Sequence, residues 1–357
     1  MNYVLYRLPH ESVYTVLRQT QGEPEDLHSY TDIGVSDGFV FAPFSITEHT
    51  PILLLKPDVI ERHELDDECE IQTDMAAKPC GIKTERAAYH DVFGRFHSRL
   101  ANGDFDKIVL SRLSTVNVGG HENPEVLFKR ACRLYPRMFI ALVSMDKAGT
   151  WLMATPEILL ENEGFDWRTI ALAGTMRLTD EQMSFDTPEC SVSQDAIQWS
   201  DKNIREQRYV ASFIRDKLED FATDINEIGP YTARAGRLVH LRSDFKFRLR
   251  SVNCVGRLIE NLHPTPAVCG MPRRETYDFI CRNEGYDRKY YSGFAGVVSR
   301  VDGTHLYVTL RCMSISDAGY SLYAGGGLLH DSVEETEWAE TEAKMDTMRK
   351  CFAIKKI

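Results

Sequence analysis

Lys107-Ile-Val-Leu-Ser-Arg112 opens a strand-like run that continues to residue 118. Aliphatic and β-branched residues dominate it. Runs of the same kind follow at 137–145, after Pro136, and at 150–161 and 168–175. Upstream, Thr84 to Leu100 reads as a helix, because Ala88, Val92, Phe96 and Leu100 recur four apart and Asn102-Gly103 stops it. Downstream, a long helix is expected over 191–221. Ile197, Ile204, Ala211, Ile214 and Leu218 form one apolar stripe on it, and Trp199, Val210 and Phe213 a second. Val252 to Asn261 reads as a short helix before the Pro-rich loop His263-Pro-Thr-Pro-Ala-Val-Cys-Gly270. Strand-like runs return at 290–299, 305–315 and 319–324, and Gly325-Gly-Gly327 reads as a turn toward a last helix over 334–352. Residues 1–80 carry strand-like runs at 38–43 and 51–55, then a charged stretch from His63 to Asp74. Long strands with a few long helices, lacking regular βαβ alternation, point to an α/β chain of the α+β type with largely antiparallel sheets.

At 357 residues the chain can bury a sizeable core. Its 43% hydrophobic and 27% charged content is that of a globular protein. No run of about 18 apolar residues is present, so no membrane span is expected. The start, Met1 to His10, is too interrupted for a signal peptide, and a cytoplasmic location is expected. A net charge of −11 argues against a general nucleic-acid binder. The nine cysteines include no C-x-x-C pair, which fits reduced thiols better than a disulfide framework or a zinc site.

Several charged residues stand where charge is costly. Glu206 lies among the apolar residues of its helix, where a carboxylate needs a partner or a metal. Arg205 and Arg208 are the near partners in sequence, while carboxylates without a His/Cys cluster would suit a hard cation such as Mg²⁺. Glu337, Glu340 and Lys344 share one helix face; by itself this reads as an exposed Glu340–Lys344 pair worth roughly 0.3–0.5 kcal/mol. Gly325-Gly-Gly327 reads either as a tight turn or as backbone open to an anion. Arg311 is a charge inside an apolar strand, and His240 resembles a hydrogen-bonded core histidine. Taken alone, Lys107 reads as a strand-end lysine reaching solvent, and Glu157 as half of an inter-strand charge pair. A base and an acid facing one pocket could also remove a proton on one side of a substrate and add one on the other.

Taken in order, the segments resemble the chorismate-utilising enzymes, and among them the isochorismate synthases. The resemblance rests on Lys107-Ile-Val-Leu-Ser-Arg112, Ala154-Thr-Pro-Glu157, Leu172-Ala-Gly-Thr175, Leu262-His-Pro-Thr-Pro-Ala267, Tyr290-Tyr-Ser-Gly293, Ala324-Gly-Gly-Gly327 and Glu337-Trp-Ala-Glu-Thr-Glu-Ala-Lys344. It implies one large domain over 1–357, with extensive antiparallel sheets flanked by helices and a deep cleft. Residues 1–83 form the variable part and 84–357 the family-like catalytic region.

The resemblance further implies Mg²⁺-dependent conversion of chorismate to isochorismate. Lys107 is then the base that activates water toward C2 of the ring, and Glu157 the acid that protonates the departing C4 hydroxyl. A free lysine titrates near ~10.4, so Lys107 acts only once neutral. Glu206 and Glu340 hold the metal, with Glu337 near it. Arg311, Tyr291 and the backbone at Gly325 and Gly327 hold the enolpyruvyl carboxylate. Ala173, Gly174, Thr175 and Lys344 line the substrate site, and His240, near the reacting ring, is counted with Lys107 and Glu157 among the catalytic residues. Asn203 stands where relatives carry an acid, and Gln207 where a histidine follows the metal-binding glutamate, which implies one carboxylate fewer in the metal shell. Sister enzymes that add ammonia lack the base lysine, so water is the expected nucleophile and no glutamine amidotransferase partner is expected. Salicylate synthases share Lys107 and Glu157 and go on to eliminate pyruvate; the His-Pro-Thr-Pro loop favours the isochorismate-only class. A non-catalytic metal- or ligand-binding relative is the remaining alternative. The product would serve menaquinone, siderophore or salicylate synthesis, and a monomer is expected.

Overall fold

Phe139-Ile-Ala-Leu-Val143 shows why the chain folds in layers. Phe139, Ala141 and Val143 pack between two sheets, while Ile140 and Leu142 pack outward under helices. Successive side chains of a strand point to opposite faces, so a strand covered on both sides must be apolar throughout. The computed structural model describes residues 2–65, 82–117, 122–178, 197–235 and 238–352. In chain order the strands are β1 (Asn2–Arg7), β2 (Val13–Gln19), β3 (Glu25–Leu27), β4 (Gly38–Ala42), β5 (Ile52–Leu55), β6 (Val59–Glu64), β7 (Lys107–Asn117), β8 (Phe139–Met145), β9 (Gly149–Thr155), β10 (Ile158–Glu163), β11 (Asp166–Arg177), β12 (Ala222–Ala235), β13 (Leu238–Leu249), β14 (Gly270–Met271), β15 (Phe294–Ser299), β16 (Gly303–Val308), β17 (Cys312–Ser316) and β18 (Gly319–Leu328). The helices are α1 (Ile82–Ala101), α2 (Pro124–Leu134), α3 (Asp201–Glu219), α4 (Val255–Leu262), α5 (Arg273–Asn283) and α6 (Glu334–Arg349).

One nine-stranded sheet has the order β14-β7-β18-β17-β9-β8-β1-β2-β6, and the other β12-β13-β11-β10-β16-β15-β4-β5-β3. Every pairing between described strands is antiparallel. The inner faces pack on each other through Phe39, Phe41, Trp151, Tyr290 and Tyr307. Helices α2 and α6 cover the outer face of the first sheet, and α3 and α4 that of the second. Helices α1 and α5 close around the β7 edge through Phe96, Phe105 and Ile280. This helix–sheet–sheet–helix stack is the expected α/β architecture of mostly antiparallel sheets flanked by helices.

Several expectations need correction. The run 150–161 is two strands: it breaks at Pro156-Glu157, with β9 in the first sheet and β10 in the second. The run 305–315 breaks in the same way at Leu310-Arg311, between β16 and β17. Gly325-Gly-Gly327 is no turn but the interior of β18, where these residues pair with Ser111, Leu110 and Val109. The long helix begins at Asp201, because the Ser200 hydroxyl accepts the Asn203 N–H and caps it. Residues 197–200 are not helical, and 191–196 lie outside the described residues. Ile204 is 43% exposed and so leaves the apolar stripe. The hairpin β12–β13 and helices α2 and α5 carried no pattern strong enough to be read. Among the described residues, no helix is long and apolar enough to cross a membrane.

Candidate active site

A cleft lies between the two sheets. It is lined by Glu157, Ala173, Gly174, Thr175, His240 and Arg311 on one side and Glu206, Tyr291, Gly325, Gly327 and Lys344 on the other.

The first side is built at the strand breaks. Pro156 ends β9, and Glu157 sits in the link between the sheets, where its carbonyl accepts the Val308 N–H at 2.9 Å. Its side chain is buried, and burial pushes the carboxyl up to about 7, although Lys107, Lys344 and Arg311 pull the other way. It is therefore held protonated close to neutral pH and can donate a proton. Arg311 occupies the second link with φ of 46°, a left-handed conformation that non-glycine residues rarely adopt. Its guanidinium donates to the Ala235 carbonyl at 3.2 Å and to His240 Nε2. No carboxylate of the described residues forms an ion pair with it. His240 Nδ1 lies 3.2 Å from the Gly174 carbonyl. Burial, then Arg311 and Lys344, drive its pKa well down. The ring is therefore neutral, donating from Nδ1 and accepting from Arg311 at Nε2. In this geometry His240 holds Arg311. Gly174, at φ of 71°, forms the bulge in β11 that turns this carbonyl toward the ring.

The second side is built on unbroken elements. Lys107 begins β7 and is fully buried, contrary to the solvent-reaching reading. Its Nζ stands 3.1 Å from Glu206 Oε1, without hydrogen-bond geometry. Arg205 and Arg208, the partners considered for Glu206, bind Asp331 and Glu227 instead. Burial raises the Glu206 pKa, but Lys107, Lys202 and Lys344 outweigh it and hold the carboxyl below its usual range. Across the cleft floor, α6 presents Glu337 and Glu340. Burial, reinforced by Glu340, pushes Glu337 up to about 7. Lys344 Nζ binds Glu340 at 2.7 Å and the Gly325 carbonyl at 2.8 Å. The strand glycines make this convergence sterically possible. A Cβ at Gly327 would overlap Glu206 Oε1, and one at Gly326 would stand 3.2 Å from Glu337 Oε2 and 3.5 Å from Glu340 Oε1.

These residues fit a hard divalent cation. The donors are all carboxylate oxygens, and Glu337 Oε2 is buried without a hydrogen-bond partner. Among the described residues, no trio of His, Cys, Asp and Glu side chains stands as a ready-made metal centre. Each of the three carboxylates is instead engaged by a lysine: Glu206 by Lys107, Glu337 by Lys202 and Glu340 by Lys344.

Lys107, Glu337 and Glu340 stand behind the lining, reached through Gly326 and Gly327, while the other expected site residues line the cleft. Asn203 packs against Gly174, and Gln207 is buried beneath the site, donating to Ser243 Oγ at 2.8 Å. Sequence reasoning missed Lys202, whose only signal was a basic residue in the first turn of a helix, where the helix dipole disfavours it. It also missed the buried Glu284–Arg288 pair. Glu284 accepts the Ser111 N–H at 2.7 Å, and Arg288 donates to the Val109 and Val268 carbonyls at 3.0 and 2.8 Å. The pair thereby ties the strand that carries Lys107 to the cleft wall at 267–268.

With this geometry in hand, comparison with known proteins places the chain. The family described as chorismate binding enzymes matches residues 49–353, and the chain belongs to it. It is 30% identical over 253 residues to the isochorismate synthase MenF of Escherichia coli, covering 70% of this chain and 56% of that protein. It is 27% identical over 274 residues to the isochorismate synthase EntC of the same organism, covering 76% of this chain and 68% of EntC. The chain thus aligns with little more than half of MenF's length. Among solved structures, the putative 2,3-dihydroxybenzoate-specific isochorismate synthase DhbC from Bacillus anthracis superposes with a TM-score of 0.80. That match covers 98% of this chain and 95% of DhbC at 22% identity, and it establishes the shared fold.

Proposed function

We propose that this protein is an isochorismate synthase that converts chorismate to isochorismate by adding water at C2 and expelling the C4 hydroxyl as water. One observation carries the reading. A carboxyl pushed up to about 7, and so still able to donate a proton, faces a cleft backed by a buried lysine whose charge acts on it. Lys107, once neutral, takes a proton from the attacking water as the new C–O bond forms at C2. The ring double bonds shift, the C4–O bond breaks, and Glu157 gives its proton to the leaving oxygen. One water enters and one leaves, and solvent resets the two protonation states without any redox step. Arg311, held by His240 and Ala235, faces the enolpyruvyl carboxylate, with Tyr291 and the Gly325 backbone beside it. Glu206 and Glu340, with Glu337 close by, would hold Mg²⁺, which when bound supplies positive charge opposite the ring carboxylate.

The test is incubation of purified protein with chorismate and Mg²⁺, with products separated by chromatography. Isochorismate as the product supports the proposal. Salicylate with pyruvate would move the assignment to a salicylate synthase, and an inert protein would favour a binding role. No amidotransferase partner is required, because the nucleophile is water.

A further inference from the structure

The three carboxylates at the cleft floor are matched one to one by three ammonium groups, but the pairs are not alike. Lys107 is fully buried at the start of β7 and cannot withdraw. Lys344 is tied twice, to Glu340 and to the Gly325 carbonyl. Lys202 is different. Its bond to Glu337 Oε1 is the one it makes among the described residues, and its side chain is 20% exposed against 1% for Glu337. It stands in the first turn of α3, one turn before Glu206 on the same face. A cation there is unfavourable to the helix dipole, so helix stability does not account for its placement. Glu337, Glu206 and Glu340 all draw on it electrostatically. A lysine stem is long enough to carry its head group out to water while the stem stays packed.

We propose that Lys202 is a tethered competitor for the divalent cation: its ammonium and the metal contest Glu337, so this residue sets the metal affinity. The inference rests on the metal-binding role proposed for Glu206, Glu337 and Glu340. Glu337 keeps Oε2 free and aimed at Gly326 while Oε1 is bound to Lys202. A cation approaching the floor therefore meets a carboxylate that is half engaged. When the metal takes it, Lys202 swings toward solvent. The exchange replaces a single positive charge at Glu337 by a double one, so the buried carboxylate remains compensated throughout.

The test is Mn²⁺ binding to the full chain at pH 8.5 without chorismate, followed by the electron paramagnetic resonance of free Mn²⁺. Lys202→Met should tighten the Mn²⁺ Kd by about tenfold, the scale of one charge-assisted hydrogen bond removed from competition. Lys202→Arg, which keeps a tethered cation, should stay near wild type. In a Glu337→Gln background, Lys202→Met should tighten the Kd much less than in wild type, because only the through-space effect of its charge on Glu206 and Glu340 remains. An unchanged or weaker Kd in Lys202→Met would overturn the proposal while leaving the metal site intact. Absence of Mn²⁺ binding in both wild type and Lys202→Met would overturn the metal reading itself, and this inference with it.

Discussion

The two sides of the cleft place their working groups by opposite means. On one side the chain stops being a strand: Glu157 and Arg311 stand in the two links where it passes from one sheet to the other. On the other side β7 and β18 run unbroken, and β18 contributes the lack of side chains at Gly325, Gly326 and Gly327. Carboxylates from α3 and α6 reach in over that bare strand. A break aims a side chain between sheets, into a dry environment that raises a carboxyl pKa. A bare strand instead lets groups from helices crowd together, where opposite charges compensate. The difference explains why the acid is a lone buried carboxyl while the lysine opposite it sits in an ion-paired cluster.

Three substitutions probe that contrast. Lys107→Ala removes the base and should lower kcat by about 10²–10⁴-fold while chorismate still binds, as equilibrium dialysis can show; undiminished turnover would remove Lys107 from the chemistry. Glu157→Gln should cost turnover by the lower part of the same range, about 10²-fold. It also carries a pH-dependent stability signature. The folded-state pKa of Glu157 is raised from 4.5 to about 7. The wild type is thus unpenalised below about 4.5, loses stability as pH rises, and carries the full penalty of roughly 3 kcal/mol above about 7. Glutamine has no such penalty, so the Tm advantage of Glu157→Gln over wild type should grow from pH 4.5 to 7 and then level off. A pH-independent difference would contradict the buried-acid assignment. Wild-type kcat should likewise fall as pH rises through about 7. The smallest effect belongs to Gly327→Ala, whose Cβ would displace Glu206 and stand 2.8 Å from Lys107 Cε. It should destabilise by about 1–3 kcal/mol and weaken Mg²⁺ activation. A fully active, equally stable variant would show that the bare strand is not what admits the carboxylates.

Much of this was readable in the sequence wherever local pattern and tertiary role agree. The four-residue recurrence from Ala88 to Leu100 marks α1, although Ala88 is exposed and the buried face runs through Tyr89, Phe93, Phe96 and Leu100. The motifs contain Glu157, which lines the cleft, whereas Arg311 lies outside them and stood out as a charge within an apolar run. Legibility failed where tertiary context overrides local preference. Gly325-Gly-Gly327 looks like a turn by composition, yet it is strand, because the space its side chains would fill is taken by Glu206, Glu337, Glu340 and Tyr291. The runs at 150–161 and 305–315 look continuous, because hydrophobicity does not record which sheet a strand joins. Lys202 did not stand out in the sequence, since its partner, Glu337, lies 135 positions away.

The crossing links also tie catalysis to the order in which the chain can assemble. Residue 157 follows β9, which pairs with its neighbour β8, and precedes β10, which pairs with its neighbour β11 and with the distant β16, beginning at Gly303. Local hairpins can form early, but contacts of such sequence separation bear a large loop-closure cost and come late. The proton donor is therefore set only when both sheets have docked. Neither sheet by itself holds both Glu157 and Lys107, so on the proposed mechanism a partly folded chain would be chemically silent.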